Sequence, residues 1–463
     1  MNALFVITGL GIVSLLAEFG NLKRWLTAFV IIGMIAAVGL AVADWIHHGD
    51  EATMYFSNML VFDNLALAFT ILIGLATIIW FWLSADYFAT QTHRTDRTSL
   101  VVFAVVGSVI MSSFNNMAML FLGIEILSMS LYVLAGSKKD SLTSTEAAFK
   151  YFLMGSFATG FLLFGIALIY GATGSFHIHT IAETLTANPT GFPTFFYAGI
   201  LLMMIGLAFK ISAVPFHFWA PDVYSGAPTT ITAFMSTVVK VAAIAAFIRI
   251  FSTCFVAAAS TWTTVLTVIT VLTLVIPNVT AVYQTYVKRI LAYSSVGHVG
   301  YILLAFIANP SGTDTIFYYL ATYTVASLAA FSVLHLVEGP AEETTIDYFN
   351  GLYKKNAWLA VTMTIALLSL AGIPPLAGFF GKYLVFAQAI NHGYTSLVIV
   401  AVITSLIGVY YYFRIIIAMY FREPEGATIE IRGSHKALFF VLIVLSFALG
   451  LFPDAVLKLV TGF

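Results

Sequence analysis

The sequence contains one cysteine and few charged side chains, and both shortages exclude classes of function. Cys254 cannot form an internal disulfide, nor can it alone hold an iron–sulfur cluster, which needs about four thiolates. The glycine-rich fingerprints of nucleotide-binding loops are also missing. A net charge of -1 gives no reason to expect a nucleic-acid partner. We therefore expect no redox centre, no metal site and no bound nucleotide in this chain.

Apolar side chains are what the sequence has in abundance. They make up 60% of the chain, and charged residues only 9%, against about 25% in soluble domains. Because a bilayer core of about 30 Å needs roughly 20 apolar residues per helix, the apolar runs predict an all-α polytopic membrane protein with about fourteen spans. The predicted spans cover residues 2–20, 25–45, 64–84, 98–114, 117–136, 145–170, 195–220, 228–251, 262–285, 289–308, 315–337, 357–391, 394–420 and 436–460.

Lysine and arginine in the loops predict the orientation, since cytoplasmic loops carry an excess of both. On the side of the loops that follow even-numbered spans, the only basic residues are Arg249 and Lys458. Both termini are therefore predicted to lie on the outer side. The basic residues in the loops after odd-numbered spans are Lys23, Arg24, Arg94, Arg97, Lys138, Lys139, Lys288, Arg289, Lys354, Lys355, Arg422, Arg432 and Lys436.

A row of ionisable side chains lies within the predicted spans. It consists of Glu125, Lys210, Lys240 and Lys382. A lysine at the bilayer centre costs roughly 2.5–3.5 kcal/mol, so an unneeded charge there is expected to be lost. The row predicts a pathway for protons or ions.

Two predicted spans, the seventh and the twelfth, contain helix-breaking residues beside Lys210 and Lys382. The prolines expected to break them are Pro215, Pro221, Pro374 and Pro375. Irregular backbone at membrane depth is tolerated only where it is buried in protein or lines a hydrated cavity. Broken helices five spans apart also favour two internal repeats with a site at each break.

Specific motifs accompany these features. They read GIE around Glu125, STEAAFKYF from Ser144, KISAVPFHFWAPDVYSGAPTT from Lys210, YSSVGHVGY from Tyr293 and GIPPLAGFFGKY from Gly372. With these motifs, the sequence resembles the antiporter-like membrane subunits of respiratory complex I over nearly its whole length. Within them, FHFWAPDVYSGAPT is similar to the N branch, which is related to mitochondrial complex I subunit 2.

The resemblance implies fourteen helices, with spans 4–8 and 9–13 forming two inverted five-helix repeats that each contain a broken helix. The implied divisions are 1–97 (three N-terminal helices), 98–251 (first repeat), 262–421 (second repeat) and 436–463 (C-terminal helix). It also implies a proton relay coupled to quinone reduction elsewhere in the complex.

Carried over residue by residue, Glu125 is the acid of span 5, Lys240 the connecting lysine, and Lys210 and Lys382 the lysines beside the breaks. His217 would lie on the cytoplasmic side, where protons are taken up. A lysine shielded from water holds its proton less tightly, and a nearby carboxylate restores the charged form. If Glu125 approaches Lys210 in one state and leaves it in another, Lys210 can pass its proton towards Lys240.

Each residue also has a structural interpretation. Glu125 and Lys210 could form a static ion pair, and Lys382 could extend to the membrane surface. Glu146 and Lys150, four residues apart, could be a plain intrahelical pair or take up protons. His298 could bridge protonated groups or serve only in packing.

The resemblance implies partners as well. FMN, iron–sulfur clusters and quinone are expected in partner subunits, and the neighbours are expected to be subunits M, K, J and A in the lipid bilayer of a bacterial inner membrane. Two other functions stay open at this point: a sodium/proton antiporter subunit without redox coupling, and a non-pumping scaffold of the membrane arm.

Overall fold

A computed structural model describes residues 1–19, 25–48, 52–89, 93–187, 191–339, 344–424 and 428–460. Lys23 and Arg24, counted above for the orientation, and residues 461–463 of the predicted C-terminal segment lie outside the described residues.

The described chain is built almost entirely from helices. The first helices are α1 (Asn2–Leu16), α2 (Leu26–His48), α3 (Asn64–Leu83), α4 (Ala85–Ala89), α5 (Arg94–Ser113), α6 (Met117–Ala135), α7 (Leu142–Thr173), α8 (Ile178–Ala187), α9 (Thr194–Lys210), α10 (Trp219–Gly226), α11 (Thr229–Ser236) and α12 (Val238–Arg249). A short antiparallel hairpin, β1 (Thr53–Tyr55) and β2 (Leu60–Phe62), precedes α3.

After α12 the chain forms a π-helical turn, Ile250–Cys254, and a short 3₁₀ turn, Val256–Ala258. The remaining helices are α13 (Ala259–Val282), α14 (Val287–Ala308), α15 (Thr313–Glu338), α16 (Leu352–Lys355), α17 (Ala357–Ala371), α18 (Ala377–Asn391), α19 (Thr395–Phe421), α20 (Gly433–Leu451) and α21 (Pro453–Val460). A further 3₁₀ turn, Ile346–Phe349, lies between α15 and α16.

Helix length and composition confirm the predicted membrane class. Within the described residues, eleven helical segments are long and apolar enough to cross a bilayer. Three shorter apolar helices accompany them: Asn2–Leu16, Thr194–Lys210 and Ala357–Ala371. Each of the fourteen predicted spans overlaps one of these helices, so the chain folds as a polytopic α-helical membrane protein.

The seventh span is broken beside its lysine, as predicted. Helix α9 ends at Lys210, and the next helix, α10, begins only at Trp219. Pro215 lies in the non-helical stretch between them. Pro221 lies in the first turn of α10, beyond the break, where a helix does not need the proline's missing N–H.

The twelfth span is also broken beside its lysine. Helix α17 ends at Ala371, and Gly372 follows in the left-handed region with φ +84°. Pro374 and Pro375 lie in the non-helical stretch, and α18 resumes at Ala377 with Lys382 near its start.

The chain divides into two compact units. The first contains the described residues of Met1–Ser212 and Val238–Leu266, and the second those of Ala213–Thr237 and from Thr267 onward. The chain thus leaves the first unit just after Lys210 and returns to it just before Lys240. The division into inverted repeats at residues 98–251 and 262–421 stays a prediction.

Glycines allow close helix packing in the first unit. A Cβ atom added at Gly165 of α7 would lie 2.7 Å from the carbonyl oxygen of Gly199 in α9. A Cβ added at Gly107 of α5 would lie 2.7 Å from the carbonyl oxygen of Gly123 in α6. Small residues let membrane helices approach this closely, and the contacts fix α6 and α9, which carry Glu125 and Lys210.

In the second unit, the segment of α10 and α11 is tied to α14 and α15 by polar contacts. Lys288 Nζ donates to the carbonyl oxygen of Ala227 at 2.7 Å and lies 3.6 Å from the Glu338 carboxylate. The hydroxyl of Thr229 also donates to Glu338. The segment that follows the break at Lys210 is therefore held by charged and polar side chains.

Arg249, at the end of α12, forms a buried bidentate ion pair in the first unit. Its two terminal nitrogens lie 2.9 and 2.6 Å from the Asp63 carboxylate, and its Nε donates to the Ser112 carbonyl at 2.9 Å. Asp63 also caps the N-terminus of α3 by accepting from the Ala66 N–H. Burial alone would raise the pKa of the Asp63 carboxyl, but attraction and hydrogen bonding from Arg249 lower it overall.

We predict that Asp63→Asn increases transient opening of the packing around Arg249 and the π-helical turn that follows α12. The substitution leaves the guanidinium of Arg249 buried without its counter-charge, which costs about 3 kcal/mol, the lower end for a buried pair because the Asp63 side chain is one-third exposed. Cys254, buried in the adjacent π-helical turn, reports the opening through maleimide labelling, detected as added mass on this subunit. The labelling rate should rise by up to about 100-fold.

The matched control is Asp96→Asn, because Asp96 is 58% exposed and its carboxylate lies 3.6 Å from His93, three residues earlier in the chain. Equal labelling rates in the two variants would contradict a stabilising role for the pair.

Acidification should also weaken the ion pair between Asp63 and Arg249. Since the pKa of Asp63 is lower in the folded chain, its stabilisation is complete above about pH 4 and is lost as pH falls below that value.

Candidate functional site

One face of α6 carries a row of polar side chains. Glu125, Ser128 and Tyr132 are spaced i, i+3 and i+7, which places them on one side of the helix. Lys210, at the C-terminal end of α9, donates from Nζ to Ser128 Oγ at 2.5 Å, and its Nζ lies 5.9 Å from the centre of the Tyr132 ring. The close packing described above therefore brings a buried ammonium against this face.

Lys210 is held by a hydroxyl group in this structure. Ser128 Oγ accepts a hydrogen bond from Lys210 Nζ and donates one to the Ile124 carbonyl. Glu125 is near enough to Lys210 and Tyr132 to act on both electrostatically, but no ion pair between Glu125 and Lys210 is found among the described residues. The arrangement differs from the static ion pair considered above and leaves Lys210 a second partner one turn away.

Lys240 lies in the first turn of α12, where every residue of Val238–Arg249 is buried. Its side chain is 1% exposed. Helix α12 packs against α3, α5 and α9, the helix that ends with Lys210. This enclosure leaves no route by which the Lys240 side chain could extend to the membrane surface.

Lys382 is bound by the broken end of α17. Its Nζ donates to the carbonyl oxygen of Ala371 at 2.9 Å and to Ser405 Oγ at 2.7 Å, and it lies 5.0 Å from the centre of the Tyr301 ring. The break frees the Ala371 carbonyl, and the C-terminus of a helix attracts cations. Lys382 is only 7% exposed, so its ammonium stays inside the protein.

The second unit also brings His298 close to Lys382. His298 Nδ1 lies 2.6 Å from the Tyr319 hydroxyl and Nε2 lies 3.3 Å from the Tyr412 hydroxyl. A cavity of about 10 Å³ is lined by both Lys382 and His298. This volume is close to the smallest that holds one water molecule.

His217 lies in the second unit, in the stretch between α9 and α10, and is buried with its ring 4.7 Å from the ring of Phe218. No hydrogen-bond partner reaches its Nδ1 within the described chain. Glu146 and Lys150 form an ion pair of 2.7 Å within α7, with side chains 62% and 39% exposed. That is the geometry of a plain intrahelical pair, and proton uptake at either place stays a prediction.

A family model described as NADH:quinone oxidoreductase/Mrp antiporter, TM, matches residues 114–408. The NADH-quinone oxidoreductase subunit N of Cytophaga hutchinsonii is 44% identical and covers 99% of both chains.

The chain belongs to this family of NADH:quinone oxidoreductase and Mrp antiporter membrane subunits.

Solved structures agree with this membership. A chain of respiratory complex I from Thermus thermophilus matches with a TM-score of 0.84 and 32% identity over 98% of both chains. A chain of the archaeal membrane-bound sulfane sulfur reductase matches with a TM-score of 0.89 and 26% identity, covering 100% of this chain and 96% of the other. The predicted resemblance to subunit N and the predicted antiporter-like fold are confirmed, and the chain is a multi-pass membrane protein.

The sequence analysis missed several residues of the site. Ser128 shares a helix face with Glu125, and its i, i+3 spacing from that acid was a signal in the sequence. Tyr319 and Tyr412 are two of 22 tyrosines, and nothing in the sequence distinguishes them from lipid-facing ones. Their importance becomes visible only when α14, α15 and α19 are packed together.

We predict that Gly372→Ala displaces Lys382 and lowers activity more than Gly393→Ala does. Both glycines have a positive φ, +84° and +85°, so both alanines carry strain of roughly 1–2 kcal/mol. A Cβ at Gly372 would also lie 2.9 Å from Lys382 Cδ, whereas a Cβ at Gly393 meets nothing within 4 Å. NADH:quinone activity per assembled complex should therefore fall further in Gly372→Ala, and equal activities would show that Lys382 tolerates displacement.

Proposed function

We propose that this chain moves protons across the membrane as a membrane-arm subunit of a redox-driven NADH:quinone oxidoreductase. The path runs through Glu125, Lys210, Lys240 and Lys382. The observation that carries the proposal is the burial of three lysines, each 7% exposed or less, inside predicted spans. Keeping charges at this depth is costly, and their retention is explained if they load and release protons.

Lys210 is the residue at which coupling can act. Its ammonium bonds to Ser128, and the carboxylate of Glu125 lies one turn away on the same helix face. A hydrogen bond to a charged group contributes about 1.5–3 kcal/mol, while moving one charge against 100 mV costs about 2.3 kcal/mol. The free energy of exchanging Ser128 for Glu125 as the partner of Lys210 is thus similar to the free energy needed to drive a proton towards Lys240.

The redox chemistry belongs to partner subunits in this proposal. The one cysteine of the chain is buried in a π-helical turn, and no cluster of three or more metal-ligating side chains occurs among the described residues. We assign FMN, iron–sulfur clusters and the quinone site to partners, and subunits M, K, J and A to the membrane arm around this chain. The location is a bacterial inner membrane with both termini outside.

Copurification separates this function from a sodium/proton antiporter subunit without redox coupling. The complex is isolated through an affinity tag on this chain, and its flavin, iron and acid-labile sulfur are measured per subunit. Stoichiometric flavin and iron–sulfur clusters are expected. A stable assembly that lacks both would overturn the redox-driven function.

We predict that Lys240→Ala and Lys382→Met, each in an assembled complex, lower the number of protons moved per electron. Proton transfer through a positioned side chain contributes about 100-fold or more in rate, so the flux carried by this chain should almost vanish. The measurement is the proton-to-electron ratio in vesicles oxidising NADH. Lys354→Ala is the control, because that side chain is 59% exposed and pairs with Glu423.

A normal ratio in both fully assembled variants would support the scaffold interpretation instead, because a scaffold tolerates loss of these charges once the helices have packed.

A further inference from the structure

Two small cavities lie on either side of His298 in the second unit. The first is lined by Lys382, Tyr412 and Asn278, among others, and the second by Tyr319, Tyr323 and Ser369, among others. Each has a volume of about 10 Å³, which is room for about one water molecule. His298 and Leu370 line both cavities, and of these two only the imidazole can exchange a proton.

The imidazole is held at both ring nitrogens, one towards each cavity. Tyr319, which lines the second cavity, lies 2.6 Å from Nδ1, and Tyr412, which lines the first, lies 3.3 Å from Nε2. Ser294, in the first cavity, hydrogen-bonds to the Tyr412 hydroxyl. A neutral imidazole has one donor and one acceptor nitrogen, and a tyrosine hydroxyl can both donate and accept. The three groups form a continuous chain of hydrogen bonds.

We propose that Tyr412, His298 and Tyr319 form a crossing between two single-water sites that passes protons and excludes metal cations, and so makes this half of the pathway selective for H⁺ over Na⁺. The inference rests on the proposed function and adds its ion selectivity and two relay residues, Tyr412 and Tyr319.

The proton balance of the crossing is simple. A proton from the water beside Lys382 reaches Tyr412, whose own proton passes to Nε2 of His298. The proton on Nδ1 leaves to Tyr319, whose hydroxyl proton passes to the water beyond. One proton enters and one leaves, and no bond other than O–H and N–H changes. The ring ends neutral in its other tautomer, and a turn of the imidazole together with the two hydroxyls resets the chain for the next proton.

A metal cation finds no place in the same cavities. Hard cations are held by several oxygen ligands that usually include carboxylates, and neither lining contains Asp or Glu. In the first cavity the cation would also meet the ammonium of Lys382. Since the proposed crossing runs through the His298 ring, a proton can pass along it and a metal cation cannot.

The backbone leaves room for the water beside Lys382. Gly297 of α14 and Gly408 of α19 both line the first cavity. A Cβ at Gly408 would lie 3.5 Å from the Tyr411 hydroxyl and 3.7 Å from Asn278 Oδ1, which are ordinary contacts. Alanine at this position therefore fills the water site without forcing its neighbours apart.

The first test compares Tyr412→Phe with Tyr410→Phe in the complete complex in vesicles. Tyr412→Phe keeps the ring and removes the relay hydroxyl, whereas Tyr410 is 56% exposed on the same helix. We expect Tyr412→Phe to lower at least tenfold the proton flux per electron that passes through this chain, and Tyr410→Phe to leave that flux unchanged. Tyr319→Phe should repeat the loss, and normal flux in either relay variant overturns the proposal.

The second test compares Gly408→Ala with Gly160→Ala, where a Cβ meets nothing within 4 Å. Loss of the water should slow proton transfer and raise the ratio of pumping rates in H₂O and D₂O in Gly408→Ala alone. A merely structural role would leave that ratio unchanged, and an unchanged ratio overturns the water site.

Selectivity is tested on the unmodified complex by replacing Na⁺ with choline and by following ²²Na⁺. Unchanged proton pumping without sodium uptake is expected, and NADH-driven sodium uptake overturns the proposal. If Lys382→Met lowers the proton-to-electron ratio but Tyr412→Phe does not, the relay falls while the proposed function stands. If neither lowers it, the proposed function falls as well.

Discussion

A membrane interior offers no water to a polar group, so every charge kept there needs partners from the protein. This constraint explains where the lysines lie. Lys210 ends α9, Lys240 is in the first turn of α12, and Lys382 follows the break before α18. Helix ends expose backbone groups and create space for side chains, and the regions near helix ends are therefore the places where a buried ammonium can be held.

The hydrogen-bond partners of Lys210 and Lys382 are neutral groups. Lys210 bonds to a serine hydroxyl, and Lys382 bonds to a serine hydroxyl and a backbone carbonyl. A buried ion pair of good geometry holds its charges firmly, as Arg249 and Asp63 do in the first unit. Neutral acceptors can stabilise an ammonium and then part from it without leaving an uncompensated carboxylate. The chain thus has a fixed charge pair at the end of α12 and neutral hydrogen-bond partners at the two lysines beside the helix breaks.

Features that follow from the local sequence could be predicted. The fourteen spans came from apolar run length, and both breaks came from proline and glycine beside a lysine. Contacts that join distant segments could not be predicted. Arg249 and Asp63 are 186 residues apart, and Tyr412 and His298 are 114 apart. Such pairs depend on how helices pack, and no periodicity within one span encodes the partner in another.

The segment Ala213–Thr237 connects two of the buried lysines along the chain. It is packed with the second unit, yet both of its ends run directly into helices of the first. Since the backbone is continuous at both ends, the segment is tied covalently to the end of α9 and to the start of α12. Lys210 and Lys240 lie beside these two junctions, so the two buried amines border one and the same stretch of chain.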